Sequence, residues 1–281
     1  MIFWIASYPK SGNTWIRALI STYLYTDGKE FNFDLLRNIP KFTQEKYFSP
    51  LIKLEKIKKN PLEITKHWEN AQSRINLDNK LKFFKTHNAC ASYKDRWFTT
   101  SNNTLGYIYI VRDPRAVACS LASHSKISIE QSVYNLLNEN QIGYNEKNKL
   151  AELLGSWKIN YLSWKKKKSF DGHIVKYEDL IDDTGKELKK ILIFLKNKIN
   201  NFDYVDSLSI SINEEKILKT VNSCKFQNMS KMEEVVGFEE AITNKFFRKG
   251  TKDSWKSELS QDMRKKIEEN FENEMLELGY L

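Results

Sequence analysis

The sequence predicts an α/β fold, a central parallel sheet flanked by helices, on two observations. Four short strand-like runs, at 2–7, 81–86, 105–111 and 173–176, alternate with helical patterns, which is how a parallel sheet covered on both faces is encoded. The stretch YPKSGNTW, residues 8–15, also follows an apolar run and opens the spacing Trp15, Ile16, Leu19, Ile20, Tyr23, Leu24. A strand, a tight turn around Gly12 and one face of a helix therefore succeed one another.

Taken in order, the run 2–7 is an apolar strand, and the turn after it is suited to an anion. Free backbone N–H groups and the helix dipole both favour negative charge there. The Walker pattern places its lysine after a second glycine, whereas Lys10 precedes Gly12, the only glycine of this loop. A helix is expected over 14–25. Residues 26–80 carry no readable period. The strand 81–86 ends at His87, and the strand 105–111 ends at Arg112. Asp113 and Pro114 then supply a cap and a first-turn proline for a helix over 114–123. Further helices are expected over 151–168, 184–196 and 261–278, with the strand 173–176 ending at Tyr177; residues 200–247 are unread. Ligands of open α/β sheets bind beyond the carboxyl ends of the strands. Lys10, His87, Arg112 and Tyr177 should thus gather along one edge. Because both halves of the chain contribute, a single domain over 1–281 is expected.

Composition narrows the class. The 281 residues are 41% hydrophobic and 29% charged, as in soluble globular proteins. The net charge of +9 suits an acidic ligand, but much of it is lysine expected on solvated helix faces. Cys90, Cys119 and Cys224 are far apart and form no CxxC pair, which argues against a disulfide framework or zinc site. No apolar stretch is long enough to cross a membrane, and a strand starting at residue 2 leaves no room for a signal peptide. A cytoplasmic protein is expected, with a small-molecule substrate and neither nucleic acid nor membrane as partner.

Five segments then resemble, in order, those of the sulfotransferases that use 3′-phosphoadenosine 5′-phosphosulfate (PAPS). YPKSGNTW resembles the 5′-phosphosulfate loop YPKSGTTW, with Asn13 in place of Thr. KTH at 85–87 resembles the catalytic KTH. YIYIVRDPRAVACS resembles the 3′-phosphate segment, with Arg112 and Ser120 at the family spacing. YEDL at 177–180 and FFRKGTKDSW at 246–255 match two more.

The resemblance implies a P-loop-like three-layer fold and a role for each matching residue. His87 is the general base, and Lys10 and Lys85 stabilise the transition state. Lys10, Ser11, Gly12, Asn13 and Thr14 hold the 5′-phosphosulfate. Trp15, Tyr177 and Phe226 reach the adenine, although Cys224 and Lys225 replace the family's Thr and Ser before Phe226. Arg112, Ser120, Arg248, Lys249 and Gly250 surround the 3′-phosphate, next to Phe246. No metal is required, because lysines supply the positive charge. His67, His124 and His173 are read as structural or exposed. The acceptor is expected among the segments 26–80, 88–100, 141–150 and 230–245. Its identity, whether phenol, alcohol, amine or sugar, stays open. So does the choice between monomer and dimer, because 256–265 departs from the family's KxxxTVxxxE segment at Ser260, Gln261 and Lys265. Two other classes stay open beside this one, a P-loop kinase-like phosphotransferase and a non-catalytic polyanion or nucleotide binder.

Overall fold

The computed structural model describes residues 1–27, 30–144, 150–200, 209–241 and 245–281. Its centre is a parallel sheet of four strands: β1 (Ile2–Ser7), β2 (Lys82–Thr86), β3 (Thr104–Val111) and β4 (Asp171–Lys176), in the order β2-β1-β3-β4. The four predicted strands are all present, each within two residues of its expected start. Side chains alternate across the sheet, as strand geometry requires. Ile2, Trp4 and Ala6 face one apolar layer, while Phe3 and Ile5 face the other.

Helices supply both layers. α1 (Asn13–Tyr25) and α2 (Thr184–Asn200) cover the Phe3 face through Ile16, Leu19, Ile20, Leu188, Ile191 and Leu195. The Trp4 face is covered by α3 (Pro114–Ser125), α4 (Trp157–Lys165) and the C-terminal α5 (Gln261–Asn270). The Asp113 carboxylate caps α3, accepting from the Arg115 amide at 2.9 Å. The three cysteines are buried thiols. Among the described residues no helix is long and apolar enough to cross a membrane.

Two expected helices are shorter than their patterns. Residues 151–168 do not form one helix: Ala151–Leu153 pairs antiparallel with Ile142–Tyr144, and α4 starts only where the Ser156 hydroxyl caps it. The strand is held by pairing that local propensity cannot report. Residues 261–278 break at Phe271, whose buried ring lies 5.1 Å from that of Trp157, and a second helix, Glu272–Leu278, follows. Among the described residues of the unread segment 26–80 are short helical turns, including Phe33–Asn38 and Trp68–Ile75. Among the described residues of 200–247 lie two helices, Glu214–Ser223 and α6 (Phe226–Val236).

Candidate active site

The chain reverses its direction of strand addition at β1, so the crevice between the carboxyl ends of β1 and β3 is the place for a ligand. A cleft of about 940 Å³ opens there. The predicted site residues line it, save Ser11, which is buried with a hydroxyl that has no hydrogen-bond partner among the described residues.

The β1 loop is shaped by two residues with positive φ, Lys10 at 66° and Gly12 at 102°. A Cβ on Gly12 would lie 2.5 Å from the Tyr177 ring, so the close approach of loop and ring needs glycine. The Asn13 side chain is turned toward β1. Its amide donates back to the Ile5 carbonyl at 3.0 Å and the Ser7 hydroxyl at 3.2 Å, stitching α1 to β1. Lys10 extends over the Phe246 ring, 3.8 Å from its centroid. Burial, with Lys85 and Arg112 adding repulsion, pushes the Lys10 ammonium down to about 7.

His87 follows β2 and is fixed by backbone. Its Nδ1 lies 2.8 Å from the Ser7 carbonyl oxygen, which can only accept, so Nδ1 carries the proton and Nε2 keeps its lone pair. Burial and then Lys85 push the imidazole down to about 3, so it is neutral at pH 7. Asn160 holds the His87 carbonyl at 2.9 Å. Glu152 accepts from the His87 amide at 3.4 Å and pairs with Lys41 at 2.8 Å. Burial would raise the Glu152 carboxyl, but the neighbouring groups, Lys41 first among them, together hold it down at about 2.

Arg112 ties two loops together, donating to the Lys10 carbonyl at 3.1 Å and the Thr251 carbonyl at 3.3 Å, with its guanidinium 4.3 Å from the Tyr177 ring centroid. Trp15 meets Tyr177 edge-on at 5.9 Å and donates to the Cys224 carbonyl at 2.9 Å. Phe226 lies against Gly250, where a Cβ would be 2.5 Å from its ring. The amides of Phe246 and Phe247 are held by the Glu233 carboxylate at 2.6 and 3.0 Å. Arg248 and Lys249 share the Glu258 carboxylate at 2.8 and 2.9 Å.

Several cleft residues escape sequence reasoning. Arg17 is the sole charge in α1, and that isolation was its signal. Its guanidinium donates to the Ile39 carbonyl at 2.9 Å and the Leu36 carbonyl at 3.1 Å, and pairs with Glu240 at 2.5 Å. Glu240 also meets Lys85 at 2.8 Å and accepts from the Thr14 hydroxyl at 3.2 Å. His124, read from the sequence as structural or exposed, lines the cleft one turn after Ser120, its ring 5.8 Å from that of Phe246. Burial, then Lys10 and Lys85, pushes it down to about 4. Of the expected acceptor segments, 26–80, 141–150 and 230–245 reach the cleft, whereas 88–100 forms the hairpin pairing Ser92 with Trp97 and lines none of it. Positions 28–29, 145–149 and 242–244 of those segments lie outside the described residues.

The model of the sulfotransferase domain matches residues 2–279. The chain belongs to the sulfotransferase family. Among curated proteins it is similar to human sulfotransferase 1E1, 24% identical over 97% of this chain and 83% of that protein. Its fold is similar to that of mouse sulfotransferase SULT7A1 complexed with PAP, with a TM-score of 0.58, 17% identity, and 98% and 84% of the two chains covered. It is also similar to retinol dehydratase in complex with androsterone and inactive cofactor PAP, with a TM-score of 0.62, 16% identity, and 98% and 80% covered.

Proposed function

We propose that this sulfotransferase moves a sulfuryl group from PAPS to a hydroxyl or amine of a small acceptor, releasing adenosine 3′,5′-bisphosphate. The observation that carries the reading is the 2.8 Å contact of His87 Nδ1 with the Ser7 carbonyl. With Nδ1–H committed to the Ser7 carbonyl, Nε2 can take only one role, that of acceptor. His87 Nε2 takes the acceptor's proton as its oxygen or nitrogen bonds to sulfur. The bond from sulfur to the 5′-phosphate oxygen breaks, and the electron pair stays on that oxygen. Lys10 meets the charge developing there, and Lys85 meets the sulfuryl oxygens. A neutral His87 next to Lys85 is a weak base in the free protein. The negative charge of bound donor offsets Lys85 and strengthens it. As in phosphoryl transfer, positioning and charge stabilisation do the work.

The remaining groups divide along the nucleotide. The Ser11–Thr14 loop holds the 5′ end. Trp15, Tyr177 and Phe226 surround the base, and Arg112, Ser120 and the Arg248–Lys249–Gly250 turn take the 3′-phosphate, where guanidinium forks suit phosphate oxygens. The acceptor enters from the Phe33–Gln44 and Gln141–Tyr144 side of the cleft. The PAP held by the similar structures supports this donor, and the androsterone held by one of them supports a small acceptor.

Ligand-dependent melting tests the donor assignment. At 100 times its dissociation constant a ligand stabilises a fold by roughly 2.7 kcal/mol, and each kcal/mol is worth about 2–4 °C at this size. Adenosine 3′,5′-bisphosphate should raise Tm by several degrees without magnesium, and ADP or AMP at equal concentration by much less. A larger shift with Mg-ATP, or indifference to the 3′-phosphate, overturns the reading.

A further inference from the structure

Glu240 has no task in the transfer just described, yet its carboxylate sits on the groups that serve the donor's 5′ end. One oxygen is 2.8 Å from Lys85 Nζ and accepts from the Thr14 hydroxyl at 3.2 Å; the other is 2.5 Å from Arg17. Arg17 is 3% exposed, and two of its nitrogens are already committed to backbone carbonyls, so the edge left over is the one Glu240 takes. Lys85 is 7% exposed. Buried cations of this kind need a counter-ion, because an uncompensated buried charge is strongly destabilising. A carboxylate meets the same demand as a sulfuryl or phosphoryl group: anionic oxygens accepting charge-assisted hydrogen bonds. Two anions cannot occupy one set of donors.

We infer that Glu240 is a tethered competitor of the donor's 5′-phosphosulfate for Lys85, Thr14 and Arg17, and that it sets donor affinity. The inference rests on the PAPS reading above. Donor binding displaces the carboxylate and takes over its role as counter-ion, so the cost of lifting Glu240 away is subtracted from the affinity. Singly anchored anions, such as free sulfate, lack the adenosine and 3′-phosphate contacts that offset this cost.

Calorimetric titration of Glu240→Gln against the parent chain tests it, with adenosine 3′,5′-bisphosphate and with adenosine 3′-monophosphate, which lacks the 5′ group. Gln keeps the shape and removes the charge. The bisphosphate should bind about tenfold tighter or more, as expected for losing competition from a charge-assisted hydrogen bond, and the 3′-monophosphate should change less than about twofold. The ligand-free variant should also melt lower, with Lys85 and Arg17 left unneutralised. Should Glu240→Gln fail to fold, Glu240→Asp, which keeps the charge but shortens its reach, should show the same selective gain at smaller size. Unchanged or weaker bisphosphate binding would make Glu240 a structural counter-ion only and overturn the inference, as would an equal gain for both ligands. Absence of bisphosphate binding in parent and variant alike would overturn the donor reading and the inference with it.

Discussion

The sheet edge and the C-terminal segment 226–258 meet in one cleft but contribute opposite things. The sheet edge contributes Lys10, Lys85, Arg112 and the proposed base His87, and it fixes several of them through backbone. His87 is held by the Ser7 carbonyl, Arg112 by the Lys10 carbonyl, and Asn13 anchors the loop on Ile5. The C-terminal segment contributes aromatic surface, the Arg248–Lys249 pair and, in Glu240 and Glu258, carboxylates paired with cations. Glu240 and Glu258 sit on cations of the cleft through side chains alone. The difference separates two jobs. On the proposed reading, the reacting groups are placed by elements tied to the sheet, and their charge is balanced by side-chain carboxylates that a ligand's own charge would replace.

That comparison breaks first at Lys10, which belongs to the sheet edge and should act mainly in the transition state. Lys10→Met should lower kcat by about 10²–10³, the usual cost of removing one donor to a developing oxyanion, while weakening the product nucleotide by no more than about tenfold. Steady-state kinetics beside calorimetry would check this. Equal losses would reduce Lys10 to a binding residue.

The two glycines sharpen it next. Gly12 and Gly250 both have positive φ, and a Cβ on either would come within 2.5 Å of a ring. Gly12 faces Tyr177, which is 7% exposed and wedged under Arg112, whereas the half-buried Phe226 has room to shift. Gly12→Ala should therefore cost about 1–3 kcal/mol of strain and lower Tm by about 2–12 °C. Gly250→Ala should lower Tm less, by the backbone strain of its positive φ alone, and show its main effect as weaker nucleotide binding. Melting curves and titrations on both variants distinguish the two regions; equal destabilisation would erase the distinction.

The smallest effect is the pH dependence of product binding. Lys10 is depressed to about 7 in the free protein, and a bound phosphate favours its charged form. Below about pH 7 the ammonium is already protonated and binding is at full strength. As pH rises above 7 the proton must be taken up on binding, so affinity falls and then levels off, with a total loss no larger than the roughly tenfold limit set for Lys10→Met. Titrations between pH 6 and 9 should show that fall, reduced in Lys10→Met. Flat affinity across the range would remove Lys10 from the phosphate site.

The strand ends were legible because each strand announces itself by a short apolar run and the next residue is then fixed in place. His87, Arg112, Tyr177 and the Lys10 loop follow from that alone. Glu240 did not, because its pairing with Arg17 spans 223 positions and no local pattern reports it. Glu152 was hidden inside a stretch whose Ala-Glu-Leu-Leu reads as helix and which tertiary pairing makes a strand. His124 sits four residues after Ser120 on α3, a spacing that could have placed it at the cleft. The proposed acceptor side was illegible for a different reason. It is built from irregular turns between residues 33 and 44, whose shape is set by packing rather than by periodicity.

The central claim is that His87 takes the acceptor's proton during sulfuryl transfer. Its most direct test is label transfer from ³⁵S-PAPS to a panel of phenols, alcohols, amines and sugars by the parent chain and by His87→Ala. The parent chain should label at least one acceptor class. His87→Ala should lose about 10²–10⁴ of that turnover and still bind adenosine 3′,5′-bisphosphate as tightly. Label transfer by His87→Ala at the parent rate, or none by the parent chain to any acceptor, would contradict it.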